Sequence, residues 1–116
     1  YSSAASDVYK RQIMSKTARF NEILESVASF TEIHQEFILS DNRAAEVVDA
    51  RCILVKLLSE EGFYPSQISK YMDRTEASIR YLLASYSSRI SASLWMEKDV
   101  EVIRKHLENK SKVIGK

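Results

Sequence analysis

RAAEVVDARCILVKLLSEEG, residues 43–62, is the stretch that decides the fold. Val47, Ala50, Leu54, Leu57 and Leu58 recur at helical spacing and form one stripe. Val48, Cys52 and Val55 make a second face apolar as well. A helix that is apolar on most of its sides belongs at the centre of a small domain. Gly62 stands where a left-handed residue ends a helix. The pattern therefore predicts a central helix over residues 43–61.

The flanks read outward from it. Toward the N-terminus, Ser40-Asp41-Asn42 is a turn with capping residues. Before it, Thr31 is expected to cap a short helix over residues 32–39, with Ile33, Phe37 and Ile38 apolar. Residues 17–30 carry Phe20, Ile23, Leu24, Val27 and Phe30 at helical period. Toward the C-terminus, Pro65 suits a first helical turn, where its missing N–H costs nothing. A helix over residues 66–72 follows, with Ile68, Tyr71 and Met72 as its core face. Asp73-Arg74 is a tight connection, and Thr75 caps a helix over residues 76–90. Its buried stripe is Ile79, Leu82, Leu83, Tyr86 and Ile90. Ser91-Ala92-Ser93 loosens the chain before a last helix, residues 95–108, with Val100, Ile103 and Leu107 apolar.

Composition supports this reading by exclusion. The chain has 116 residues, one domain's worth, of which 45% are hydrophobic and 28% charged. These values exclude long disorder and a multidomain enzyme. Only 2 glycines and 1 proline leave too few turn formers for a β-sandwich or barrel, and no glycine-rich loop for a doubly wound nucleotide fold. The expectation is an all-α fold, a single small domain of about six helices containing a helix-turn-helix. Basic and acidic residues nearly balance, 17 against 16, so any attraction for nucleic acid must come from local patches. A single cysteine, Cys52, makes no internal disulfide and sits among apolar neighbours, which fits a cytoplasmic protein. No apolar run approaches the roughly 20 residues of a membrane span.

Residues 1–13 have no helical or strand period and precede Met14. They resemble translated sequencing-adapter read-through and are set aside as a leader, artefactual or disordered. The domain is expected over residues 14–109, with residues 110–116 a basic tail.

Chemistry-bearing constellations are sparse. His34, Cys52 and His106 fall on different predicted helices without paired metal-ligand spacing. The serines read as caps and surface, with no base set beside a nucleophile. Glu60 and Glu61 are adjacent, so on a helix they diverge by about 100°. No enzyme activity, metal or cofactor is expected.

The informative segment is residues 68–86, a short helix and a longer one joined by a few residues. The outward face of the second helix, with its start, offers Arg74, Thr75, Glu76, Ser78, Arg80, Tyr81, Ser85 and Arg89. Lys70, Arg74, Arg80 and Arg89 against Asp73 and Glu76 leave residues 68–90 with a charge of +2. Small hydroxyls at a helix N-terminus, flanked by arginines, suit phosphate and base-edge contacts. On the residues alone, an ordinary helical hairpin with a polar surface fits equally well.

Residues 30–107 resemble the C-terminal DNA-binding domain of the DnaA replication initiators, a Trp-repressor-like helical fold. Val27-Ala28-Ser29-Phe30 is similar to the family's opening V-A-x-Y/F, and FILSDNR at residues 37–43 to its x-L-L-S-x-x-R. DARCILVKL at residues 49–57 resembles R-P-R-Q-I-A-M-Y-L, and SQIS at residues 66–69 resembles P-E-I-G. RTEASI at residues 74–79 stands where the family has R-D-H-T-T-V, and EKDV at residues 97–100 is similar to the start of its last helix.

The resemblance implies a duplex-DNA partner, with Arg51 reaching the minor groove and the start of the second helix reading the major groove. Arg51, Arg74 and the Ser78 hydroxyl carry over directly, whereas Thr75, Glu76 and Ala77 replace the family's Asp, His and first Thr. The linking turn is also one residue shorter, so the expected target is not the family's origin sequence. Ala77 would meet a thymine methyl and Glu76 a cytosine amino group. The family's ATPase domain has no counterpart here. The resemblance points to a stand-alone domain, of the kind found in small phage and mobile-element proteins, acting in replication or transcription control in a bacterial cell. The expected DNA-binding set is Arg43, Arg51, Lys70, Arg74, Thr75, Glu76, Ala77, Ser78, Arg80 and Tyr81. The alternative is a helical protein-interaction module that keeps the fold without binding DNA. A continuous positive strip through Arg43, Arg51, Arg74 and Arg80 would favour DNA; a mixed-charge, apolar surface would favour a protein.

Overall fold

A computed structural model describes the backbone of residues 2–114 and the side chains of residues 16–109. Its organising element is α3, Ala45–Glu60. Nine of its sixteen residues are buried, and the other five helices of the described residues all pack against it. The two apolar faces leave this helix little surface to give to water, so every neighbour is drawn onto it. Its N-cap, Ala44, has no capping side chain; the Asn42 Oδ1 accepts the Ala44 N–H instead (2.9 Å). Its end is a Schellman turn. Gly62 takes φ +98°, its N–H donates to the Ser59 carbonyl (3.1 Å), and the Phe63 N–H donates to that of Leu58 (3.0 Å). Phe63 and Leu58 are both buried there, the apolar contact that accompanies such a cap.

The described residues form six helices and no strand. α1 spans Ser2–Thr31 and buries Phe20, Ile23, Leu24 and Val27. It begins earlier than the apolar period alone predicts. The leader's side chains lie outside the described residues, as do those of the basic tail. Thr31 does not cap the next helix as expected: it is the last residue of α1, and its hydroxyl donates back to the Val27 carbonyl (2.6 Å). The break comes one residue later, where Glu32 takes a left-handed φ of 58°. α2 is therefore a single turn, Gln35–Ile38, with His34 at its N-cap.

α4 spans Pro65–Met72, with Pro65 in the first turn and the Gln67 side chain accepting the Tyr64 N–H (2.9 Å). Asp73 turns left-handed (φ 53°), and the Arg74 N–H closes on the Ser69 carbonyl (2.9 Å). α5 spans Glu76–Ala92 and buries Ile79, Leu82 and Tyr86, with Leu83 and Ile90 partly covered. α6 spans Leu94–Ile114 and buries Met96, Val100, Ile103 and Leu107. Two ion pairs fix the outer helices to the centre: Arg89 with Asp49 (2.6 Å), and Arg104 with Glu60 on the last turn of α3 (2.6 Å).

Candidate nucleic-acid interface

The start of α5 is built locally. Thr75 takes an extended conformation, and its hydroxyl accepts the Ser78 N–H (3.1 Å), satisfying one of the free donors of the first turn. Helical period then sends Ile79 and Leu82 inward and leaves Glu76, Ala77, Arg80 and Tyr81 exposed, with Tyr81 72% exposed. α4 packs against α5 behind this face and carries exposed Lys70. Glu76 and Arg80, one turn apart, form an exposed ion pair (2.6 Å).

The arginines expected to extend this face do something else. Arg51 is only 4% exposed. Its Nε donates to the Ile38 carbonyl (2.7 Å), and its Nη2 donates to those of Phe37 (3.0 Å) and Ser40 (2.7 Å). Among the described residues the Ile38 and Ser40 carbonyls take no backbone N–H where α2 ends, whereas that of Phe37 already accepts the Ser40 N–H (3.1 Å) and hydroxyl (2.7 Å). Arg51 is thus the C-terminal cap of α2 and is not presented to a duplex. Burial first, and then the like charge of Arg74, draws its guanidinium below the usual arginine range.

Arg74 is half turned inward too. Its Nη2 donates to the same Ser40 carbonyl, its Nη1 reaches the Ser78 Oγ (3.5 Å), and Asp41 lies 3.8 Å away. Its Nε is buried without a partner. Arg89, expected on the outward face, is held by Asp49, and the Ser85 hydroxyl donates back to the Tyr81 carbonyl (2.8 Å). Ser78 is partly buried beside Arg74.

Lys70 on α4, Thr75 at the N-cap of α5, and Glu76, Ala77, Arg80 and Tyr81 on α5 are all exposed. Arg43 is exposed on the loop before α3. Among the described residues neither Arg43 nor Lys70 has an ion-pair partner. A shallow recess at the start of α5 is lined by Asp41, Asp73, Arg74, Thr75 and Ser78. Acidic Asp41, Asp73 and Glu76 thus interrupt the basic groups, and no continuous positive strip forms.

Two features escaped sequence reasoning. One is the Ser40 carbonyl as a junction, for which no side-chain pattern exists. The other is the burial of Arg51, which had a usable signal. Positions 47, 51, 54 and 58 fall on one helical stripe, so Arg51 sits between Val47 and Leu54 on the core face.

No group of three or more His, Cys, Asp or Glu side chains suited to a metal occurs among the described residues. None of the described helices is long and apolar enough to cross a membrane. No protein-family model, curated protein or solved structure matches the chain.

Proposed function

We propose that this protein binds double-stranded DNA, with α4 and α5 acting as a helix-turn-helix and the start of α5 entering the major groove. The observation that carries this reading is the first two turns of α5. Buried Ile79 and Leu82 anchor them, and they expose Thr75, Ala77, Arg80 and Tyr81. The Glu76–Arg80 pair is no obstacle. An exposed pair one turn apart contributes only about 0.3–0.5 kcal/mol, so a phosphate competes readily for Arg80. The first-turn N–H groups and the positive end of the α5 dipole favour the same ligand. Arg43, Lys70 and Arg80 are the phosphate contacts in this reading, and Glu76 and Ala77 face bases.

The test is duplex binding across a salt series. Wild-type protein should bind random-sequence duplex at low salt. Arg80→Ala should weaken it on all sequences and reduce the slope of log K against log salt by about 0.9, the value for one lost phosphate contact. Substitutions at Ala77 should instead change preference between sequences. An absence of wild-type binding at low salt sinks the reading. The interrupted charge pattern, with Asp41, Asp73 and Glu76 among the basic groups, favours a second reading: the same face, with exposed Tyr81, docks on a protein.

A further inference from the structure

Two guanidiniums from distant parts of the chain converge on one backbone oxygen. Arg51 comes from the middle of α3, Arg74 from the connection between α4 and α5, and both donate to the Ser40 carbonyl. Bringing two cations together is unfavourable. No acid is buried with them; the carboxylate beside Arg74 is that of Asp41, which is fully exposed. The arrangement persists because the carbonyls of Ile38 and Ser40 need donors and the fork of Arg51 supplies both while also reaching that of Phe37.

Beyond Ser40 the chain is held by its own short turns. The Asn42 N–H donates to the Ser40 Oγ (3.1 Å), and the Ala44 N–H donates to the Asn42 Oδ1 (2.9 Å). Asp41 of this loop shares a recess with Thr75 and Ser78 of α5. Fixing the Ser40 carbonyl therefore fixes where the loop, and exposed Arg43 on it, stands relative to the start of α5.

We propose that Arg51 is a positioning residue: through the Ser40 carbonyl it shares with Arg74, it clamps residues 40–44 against the start of α5. Arg43 and the first turns of α5 then act as one duplex-binding surface. The surface part rests on the DNA-binding reading; the clamp does not. Arg51 acts without touching DNA, so its loss removes orientation and leaves the number of phosphate contacts unchanged. Lysine keeps the charge but not the fork that spans three carbonyls.

The experiment uses the full chain with Arg51→Met, Arg51→Lys, Arg43→Ala and each double variant with Arg43→Ala. Two readouts are taken on folded protein: backbone amide exchange, and random-duplex affinity at several salt concentrations. With Arg51→Met or Arg51→Lys, exchange at Asn42 and Ala44 should speed up while Leu82 in α5 keeps its protection. Affinity should fall several-fold at every salt with the slope unchanged, and the loss should shrink once Arg43 is gone, because the two residues act in one chain of cause. A slope lowered by about 0.9 would make Arg51 a direct phosphate contact and overturn the proposal. Equal losses with and without Arg43 would reduce Arg51 to general stability, and unchanged exchange at Asn42 and Ala44 would remove the clamp. Arg51→Lys keeps the test open if Arg51→Met does not fold. Should the wild type bind no duplex, the DNA reading fails with the surface part of the proposal, and exchange still decides the clamp.

Discussion

Leu54 is completely buried on α3, and its neighbours there are Ile53, Val55 and Leu58, also without exposure. Leu54→Ala leaves a cavity that such a packed site fills only partly, so the expected loss is about 2–5 kcal/mol. Against a total of about 5–15 kcal/mol for a domain of this kind, the variant should melt much earlier or fail to fold. Thermal or urea melts check it, and a loss well under 1 kcal/mol would mean the core packs elsewhere. Cys52 lies in the same layer. Burial pushes its thiol up from 9.0 to about 11. The native state therefore keeps a proton that the unfolded chain gives up. Stability from this group is complete below the unfolded value and is lost as pH rises toward the folded one. Wild type should lose stability between about pH 9 and about pH 11 more steeply than Cys52→Ala. A thiol reagent should label Cys52 only after denaturation; labelling of native protein would contradict its burial.

At the scale of elements, helix ends decide where functional groups stand. Three breaks use a left-handed residue, at Glu32, Gly62 and Asp73, and only one of them is glycine. A Cβ on Gly62 would meet nothing within 4 Å, so the cost of Gly62→Ala is backbone strain alone. That cost should be about 1–2 kcal/mol, read as a lower melting temperature with duplex binding unchanged; no loss would mean the Schellman turn is not formed. The sequence showed Gly62 as a stop because glycine is the usual residue there. Glu32 and Asp73 carry no such mark, which is why Thr31 was misread as a cap, while the Asp73 break was legible only through the Thr75 cap that follows it.

At the scale of the whole molecule, near-neutral charge makes local acids matter. Asp73 is exposed at the rim of the recess beside α5, and asparagine tolerates its left-handed conformation. On the proposed DNA-binding reading, Asp73→Asn should leave the melting temperature nearly unchanged and tighten duplex binding at low salt, since it removes repulsion next to the arriving phosphates. Binding no tighter than wild type would place the duplex away from α5.

The six-helix plan, the central place of α3 and most of the buried stripes of α5 and α6 are legible in the amino-acid order alone. Helical period is a local property, and each stripe is written within a single segment. The same period puts Thr75, Glu76, Arg80 and Tyr81 outward at and after the start of α5, where they are exposed, but it also puts Arg74, Ser78, Ser85 and Arg89 there, which are partly buried. What each arginine does follows from packing between helices instead. Arg51 and Arg80 both sit on helices, yet Arg51 meets three carbonyls contributed by residues 37–40, whereas Arg80 meets a glutamate one turn away. Backbone acceptors carry no sequence signature. Which guanidinium finds them depends on how α2, α3 and the α4–α5 connection come together in space.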